Sequence, residues 1–210
     1  MRITRRPRRT ASPPLGLVVM FQDNFMDFPE LATTRLLLTK ITSSDCESLY
    51  NLFSNPDVVK FYDLEPFTDT SQAESLIALF ESRYNSTSGI RWAIRTKTSG
   101  DLIGTCGFNS WSEKMRNATI GYDLMPDYWN KGISTEALFE ILRAAFVGKL
   151  PCGPLHRIQA DTIPGNVASE KVLKKLGFKE EGIRRESVYV KGHYYDMKCF
   201  GILMPEFKEA

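Results

Sequence analysis

The strongest constraint on the fold is a change of period in the middle of the chain. Residues 90–96, 102–111 and 118–125 are three strand-like runs, joined by Ser99-Gly100 and by a polar stretch over 113–117. Connections this short hold consecutive strands side by side and antiparallel, so a meander is expected. Directly after it, residues 132–147 place Ala137, Leu138, Ile141, Leu142, Ala145 and Phe146 on one helical stripe. A stripe of that width has to be buried against a sheet face.

The flanks fill in the remaining layers. Residues 36–41 read as a first strand, and Ser43 or Ser44 offers an N-cap for a helix carrying Leu49, Leu52 and Phe53. Asn55-Pro56-Asp57 ends that helix, because proline restricts the residue before it and cannot extend the hydrogen-bond ladder. Asp69 to Ser71 start a second helix with Leu76, Ile77, Leu79 and Phe80 on its apolar face. After the long helix come a strand over 157–163, a helix over 166–176 and a strand over 178–190. The last of these turns at Lys191-Gly192 into a strand over 193–203. Strand–helix–strand passages embedded in antiparallel elements imply an α+β fold of three-layer α/β/α character, with a mixed, mostly antiparallel sheet and helices on both faces. One domain over 31–205 is expected, with a flexible basic tail over 1–30 and a C-terminal tail over 206–210.

Charge separates the first tail from the rest. Residues 1–10 hold Arg2, Arg5, Arg6, Arg8 and Arg9 and no acid, whereas residues 11–210 carry 22 basic and 25 acidic side chains, a net of −3. A mildly acidic body gives no reason to expect a nucleic-acid partner. No apolar stretch approaches the length of a bilayer span, so no membrane association is expected. Cys46, Cys106, Cys152 and Cys199 are scattered, with only His156 and His193 beside them. Neither a metal site nor a disulfide framework is suggested, and a reducing, cytoplasmic setting fits.

The chemistry-bearing passage runs from Gly121 to Ala137. A strand ends near Met125, a polar connection carries Lys131, and a helix opens around Gly132 with Ser134 and Thr135 at its mouth. Unpaired amides and aligned peptide dipoles favour an anion there, and glycine lets a ligand approach the backbone. The same features also describe an ordinary helix start. A nucleotide-hydrolase loop is disfavoured because GxxxxGK is absent, and a dinucleotide fingerprint because GxGxxG is absent. Further on, Asn166 is a good N-cap with Ser169 three residues later, Glu170 and Lys174 form an i,i+4 pair, and Gly177 supplies a stop.

Taken in order, the motifs resemble the Gcn5-related N-acetyltransferase (GNAT) superfamily, and its RimJ/RimL-like branch in particular. The resemblance spans about 31–203. It rests on Thr34-Arg35-Leu36-Leu37-Leu38, Ile103-Gly104-Thr105-Cys106-Gly107-Phe108, Ile120-Gly121-Tyr122, Tyr128-Trp129-Asn130-Lys131-Gly132-Ile133-Ser134-Thr135-Glu136-Ala137, Asn166-Val167-Ala168-Ser169 and Lys175-Leu176-Gly177-Phe178. It implies an acetyl-CoA-dependent N-acetyltransferase that passes acetyl directly to a primary amine, with no metal. The acceptor would be a protein N-terminal or ribosomal-protein amine, or alternatively a small molecule or antibiotic; a non-catalytic coenzyme-A-binding module is the competing reading. Homodimers occur in the branch.

By the same resemblance, Trp129, Asn130, Lys131, Gly132, Ile133, Ser134 and Thr135 form the coenzyme diphosphate loop. Leu124 and Met125 pair with the pantetheine arm, Asn166 lies near it, and Ser169 hydrogen-bonds the sulfur as the catalytic acid. Ser134 stands where Gly or Ala is usual, and Thr119 where relatives carry an acid. Transfer needs a neutral amine, a donor for the developing oxyanion and a donor for the departing thiolate. A strand amide near Met125 is expected to serve the second need. Asp123, Glu113 and Glu74 remain as candidate bases, each more simply read as an exposed structural acid. Tyr122 is expected to shape the acceptor cleft and Asp196 to order the final strands. The first helices, the segment around 61–67 and the final hairpin are expected to wall the acceptor.

Overall fold

The computed structural model describes residues 27–208, so the arginine-rich part of the expected tail lies outside the described residues. In chain order the elements are β1 (Leu31–Ala32), β2 (Leu36–Lys40), α1 (Cys46–Phe53), α2 (Thr70–Asn85), β3 (Ile90–Thr96), β4 (Leu102–Ser112) and β5 (Asn117–Leu124). They continue with α3 (Ile133–Phe146), β6 (Arg157–Thr162), α4 (Val167–Lys175), β7 (Lys179–Val190) and β8 (His193–Leu203). The strands form one eight-stranded sheet in the order β1-β2-β3-β4-β5-β6-β8-β7. Every pairing is antiparallel except β5 with β6. The mixed, mostly antiparallel α+β sheet expected from the pattern is therefore present.

Strand alternation decides which helices lie on which face. Ile90, Trp92, Phe108, Ile120, Ile158 and Phe200 point to one side, where they meet Ala137, Leu138, Ile141 and Leu142 of α3 and Leu173 of α4 in the main core. Ala93 and Leu102 point to the other side, beneath Leu49, Leu52 and Phe53 of α1, Ala73 of α2 and Phe67. Leu138, Ile141 and Trp92 are completely buried. Burial of each such side chain contributes roughly 1.5–3 kcal/mol.

Local signals placed most element ends. Asp69 caps α2 by accepting from the Ser71 amide at 2.8 Å, and Gln72 reaches back to the Asp69 amide at 3.1 Å. At α1 the start differs from expectation. A short 3₁₀ turn over 43–45 precedes it, capped at Thr42, whose N–H is held by Asp45 Oδ2 at 2.8 Å, and Asp45, in place of Ser43 or Ser44, is the N-cap of α1. Glu170 and Lys174 do not pair: Glu170 turns inward to Lys198 of β8 at 2.9 Å, and Lys174 reaches Glu180. Packing of α4 against the sheet outweighs the few tenths of a kcal/mol of a surface i,i+4 pair.

Both ends of the described residues pack against the domain. Phe28 stacks edge-on against Trp92 and beside Tyr84, and Trp92 Nε1 donates to the Pro29 carbonyl at 2.6 Å. Phe207 packs between Phe139 and Phe146, while Glu206 pairs with Lys179. Edge strand β7 is exposed along nearly its whole length. Its charges and two register breaks, at Glu180/Gly182 and Arg184/Val188, discourage edge-to-edge pairing with another chain. Asp196 supports the second break by accepting from the Glu186 amide at 2.9 Å, the ordering role expected of it.

Candidate active site

A fork in the sheet creates the cleft. β5 and β6 pair over three positions only, Asn117–Arg157, Ala118–Ile158 and Thr119–Gln159. Beyond them β5 continues along β4 to Leu124 and β6 continues along β8 to Thr162, so the two strands part. At the vertex Gln159 Nε2 donates to Thr119 Oγ1 at 3.1 Å. Thr119 is therefore a polar pin at the bottom of the fork.

The edge of β5 that the fork exposes follows from the ladder. Met125 N donates to Ile103 O at 2.8 Å, which fixes that residue's amide on the β4 side. Alternation then turns the amides and carbonyls of Tyr122 and Leu124 toward the cleft. Two side chains confirm the direction: the Tyr62 hydroxyl donates to Tyr122 O at 3.2 Å, and Trp129 Nε1 donates to Leu124 O at 2.7 Å. The ladder narrows the strand amide expected near Met125 to one residue. Met125's own N–H is used inside the sheet, and the cleft-facing amide is that of Leu124.

Ser169 stands on the opposite arm of the fork, in the first turn of α4. Its amide is held by the N-cap Asn166, whose Oδ1 accepts at 3.3 Å. Its hydroxyl oxygen lies 2.6 Å from the Tyr122 hydroxyl. The structure therefore brings Tyr122 into contact with Ser169, with Leu124 two residues further along β5 and Asn166 capping α4.

At the wide end of β5, residues 130–135 turn into α3. Gly132 is the N-cap with φ +74°, and no side chain caps the helix. Asn130 is also left-handed at φ 58°. Glu136 N donates to Gly132 O, so the amides of Ile133, Ser134 and Thr135 precede the first intrahelical bond. A Cβ at Gly132 would meet nothing closer than Arg35 Nη2 at 3.7 Å; the backbone conformation, and not crowding, calls for glycine here. An open cavity of about 570 Å³ lies over this turn, lined by Arg35, Lys131, Gly132, Thr135, Glu136 and Lys175 among others.

Sequence reasoning assigned no role to the residues that hold this turn. Arg35 donates through Nη1 to Lys131 O at 3.1 Å and through Nε to Glu136 at 2.6 Å, and Glu136 also accepts from Thr33 at 2.5 Å. Burial opposes ionisation of Glu136, but the bonds from Thr33 and Arg35 outweigh it and hold the carboxyl below its usual range. The clamp fastens the loop to β2 across about a hundred residues of sequence. In sequence the pair shows only as an arginine before an apolar run and a glutamate in the first turn of a helix.

The candidate bases separate sharply. Glu74 and Glu113 are exposed, as read, the first on α2 and the second in the β4–β5 turn at the closed end of the fork. Asp123 is the correction: it is buried and ion-paired to Arg91, with Thr105 donating to its Oδ2 at 3.0 Å. Arg91 also donates to Thr105 at 3.0 Å and to Asn109 at 3.2 Å, and its guanidinium lies over Phe80. Gly121 leaves room for this network, since a Cβ there would sit 2.7 Å from Asn109 Nδ2. Burial first, and then the Asp123 carboxylate, hold the neighbouring Tyr62 phenol well above its usual range and therefore protonated. Across the mouth, Lys191 of the β7–β8 turn reaches Val59 O at 3.3 Å, so the hairpin and the 54–69 segment meet beside the cleft.

With this geometry in view, the acetyltransferase (GNAT) domain model matches residues 35–179. The chain belongs to the GNAT acetyltransferase family. It is 37% identical over 178 residues to the uncharacterized N-acetyltransferase YoaA of Bacillus subtilis, covering 85% of this chain and 98% of that one. It is 23% identical to the ribosomal protein uS5-alanine N-acetyltransferase of Escherichia coli, over 84% of this chain and 92% of that one. A GNAT acetyltransferase structure from Bacillus anthracis superposes with a TM-score of 0.74 at 24% identity, over 85% of this chain and all of the other. As a GNAT acetyltransferase, the chain is an enzyme of acetyl transfer to an amine acceptor.

Proposed function

We propose that this GNAT acetyltransferase binds acetyl-CoA across the fork and passes the acetyl group directly to a protein N-terminal amine, with a ribosomal protein as the first acceptor to try. The observation that carries the reading is the pairing of an uncapped, glycine-started helix with a parted strand edge. The amides of Ile133, Ser134 and Thr135 suit a diphosphate, and the cavity beside Arg35, Lys131 and Lys175 leaves room for it. Asn130, Lys131 and Gly132 shape that turn. The cleft-facing amides of Tyr122 and Leu124 suit the pantetheine arm. Trp129 braces the Leu124 carbonyl, Met125 ends the strand, and Asn166 fixes the first turn that presents Ser169.

Acetyl-CoA supplies an activated acyl group, and the remaining requirements fall to the chain. Leu124 N–H is a fixed donor at the fork, and Ser169 offers a hydroxyl for the sulfur. With Asp123 locked to Arg91 and Thr119 to Gln159, neither is placed to take the acceptor's proton, which suits an acceptor that arrives as the free amine or loses its proton to water. A protein α-amine, with a reference pKa of about 8, supplies a usable neutral fraction near neutrality. The similarity to a uS5-alanine N-acetyltransferase supports that class. Cys46, Cys106, Cys152 and Cys199 are separate free thiols, which suits the reducing, cytoplasmic setting that belongs to this reading.

The test is release of free coenzyme thiol from acetyl-CoA in the presence of pooled ribosomal-protein N-terminal peptides and, separately, pooled small amines, followed by mass spectrometry of the products. The reading expects peptide-dependent release and an acetyl increment on an N-terminal residue. Release with small amines alone would reassign the acceptor, and coenzyme binding without release in any pool would reject transfer.

A further inference from the structure

Tyr122 and Ser169 stand on opposite arms of the fork, and nothing above gives the contact between them a task. The hydroxyl oxygens are 2.6 Å apart, at the short end for an O–H···O bond. The Tyr122 oxygen also lies 3.2 Å from the Ser169 carbonyl oxygen. A carbonyl only accepts, so the phenol hydrogen is directed at Ser169 in either contact.

Two proton arrangements satisfy these distances. If Tyr122 donates to the carbonyl, Ser169 spends its one hydrogen on Tyr122 and has none for the cleft. If Tyr122 donates to Ser169 Oγ, the serine hydrogen is released toward the fork. A phenol is a much stronger donor than an aliphatic hydroxyl, and the shorter contact is the one to Oγ, which selects the second arrangement.

Both ends of the bridge are anchored. The Tyr122 carbonyl is held by Tyr62 and the Ser169 amide by Asn166. Burial pushes the Tyr122 phenol up to about 12, so it keeps its hydrogen through the neutral range.

We infer that Tyr122 is a positioning residue for acetyl transfer: it donates to Ser169 Oγ and so aims the Ser169 hydrogen at the coenzyme sulfur. The inference rests on the proposed role of Ser169. It adds that the serine works as half of a strand-to-helix pair, and that Tyr122, for which only a wall of the acceptor cleft was expected, sets the direction of its donor.

The experiment uses the full chain, its Tyr122→Phe and Ser169→Ala variants and the double variant, each saturated with coenzyme A. Ionisation of the bound thiol is followed by thiolate absorbance as pH is raised. Tyr122→Phe keeps the ring and its packing. Loss of one hydrogen bond to a thiolate is expected to lower the thiol's acid ionisation constant about three- to tenfold in each single variant, and no further in the double. A wild-type constant in Tyr122→Phe beside a lowered one in Ser169→Ala overturns the inference alone, as does full additivity in the double variant. A wild-type constant in Ser169→Ala overturns the reading of Ser169 itself, and the inference with it.

Discussion

Replacing Gly132 by Asp is expected to weaken acetyl-CoA binding by about a hundredfold or more, which is about 2.8 kcal/mol. Gly132 sits at φ +74° as the N-cap of α3, facing an open cavity. Among side chains Asp tolerates that conformation comparatively well, so the cost to folding is about 1 kcal/mol. The cost to binding is electrostatic. A carboxylate about 5 Å from a phosphate charge, at an effective dielectric of about 20, is unfavourable by about 3 kcal/mol. Arg35 Nη2 lies 3.7 Å from the new Cβ position, so the carboxylate would also draw the guanidinium away from Lys131 O and loosen the turn. Gly132→Asn, which adds similar bulk without charge, is expected to lose only about tenfold. Calorimetric titration of the two folded variants checks both numbers. Equal losses would point to bulk alone, and wild-type affinity in Gly132→Asp would place the diphosphate elsewhere.

The second large effect concerns stability. Arg91→Met is expected to destabilise the fold by about 3–5 kcal/mol, because it leaves Asp123 buried without its partner. The side chains of Arg91 and Asp123 are 8% and 1% exposed, and Asp123 Oδ1 has no hydrogen-bond partner among the described residues, so little solvent is at hand to compensate. Methionine retains much of the arginine stem, which keeps cavity formation from dominating the result. The double variant Arg91→Met/Asp123→Leu removes both charges and is expected to recover most of the loss. Urea midpoints at neutral pH test the pair. A single-variant cost below about 1 kcal/mol, the size of an ordinary surface pair, would contradict the buried-charge account.

These two residues also show where the sequence stops being legible. The helices and strands followed from period and punctuation: Asp69 and Asn166 cap the helices assigned to them, and β3 and β8 have the expected bounds. Such signals are local, so a single chain carries them openly. Arg91 lies between Ile90 and Trp92, and Asp123 between Tyr122 and Leu124, so each is a charge inside an apolar strand. That is a visible sign of a buried partner, but 32 residues separate them and only the β3–β4–β5 register brings them together.

The fork is harder still to read. Nothing in the residues around Thr119 or Gln159 announces that parallel pairing stops after three positions. The direction of each amide near Met125 depends on the β4–β5 register too, so the sequence alone does not say which of them faces the cleft. The Arg35–Glu136 clamp is a contact between a strand start and a helix start, invisible to any periodic pattern. The helix start with Gly132, Ser134 and Thr135 was legible because it keeps its features in consecutive residues. The contacts beside the cleft were not legible: Tyr62 and Lys191 bind Tyr122 O and Val59 O, which are backbone atoms and leave no side-chain signal.

The central claim is that the coenzyme lies with its diphosphate on the opening turn of α3 and its arm along the parted edge of β5. The direct measurement is an acetyl-CoA titration of the isotope-labelled chain, following backbone amide signals by nuclear magnetic resonance. Signals of residues 130–135, Tyr122 and Leu124 should move together along one saturating curve, while those of the outer face of α2 stay in place. A folded sample whose 130–135 amides remain still at millimolar acetyl-CoA would contradict the account.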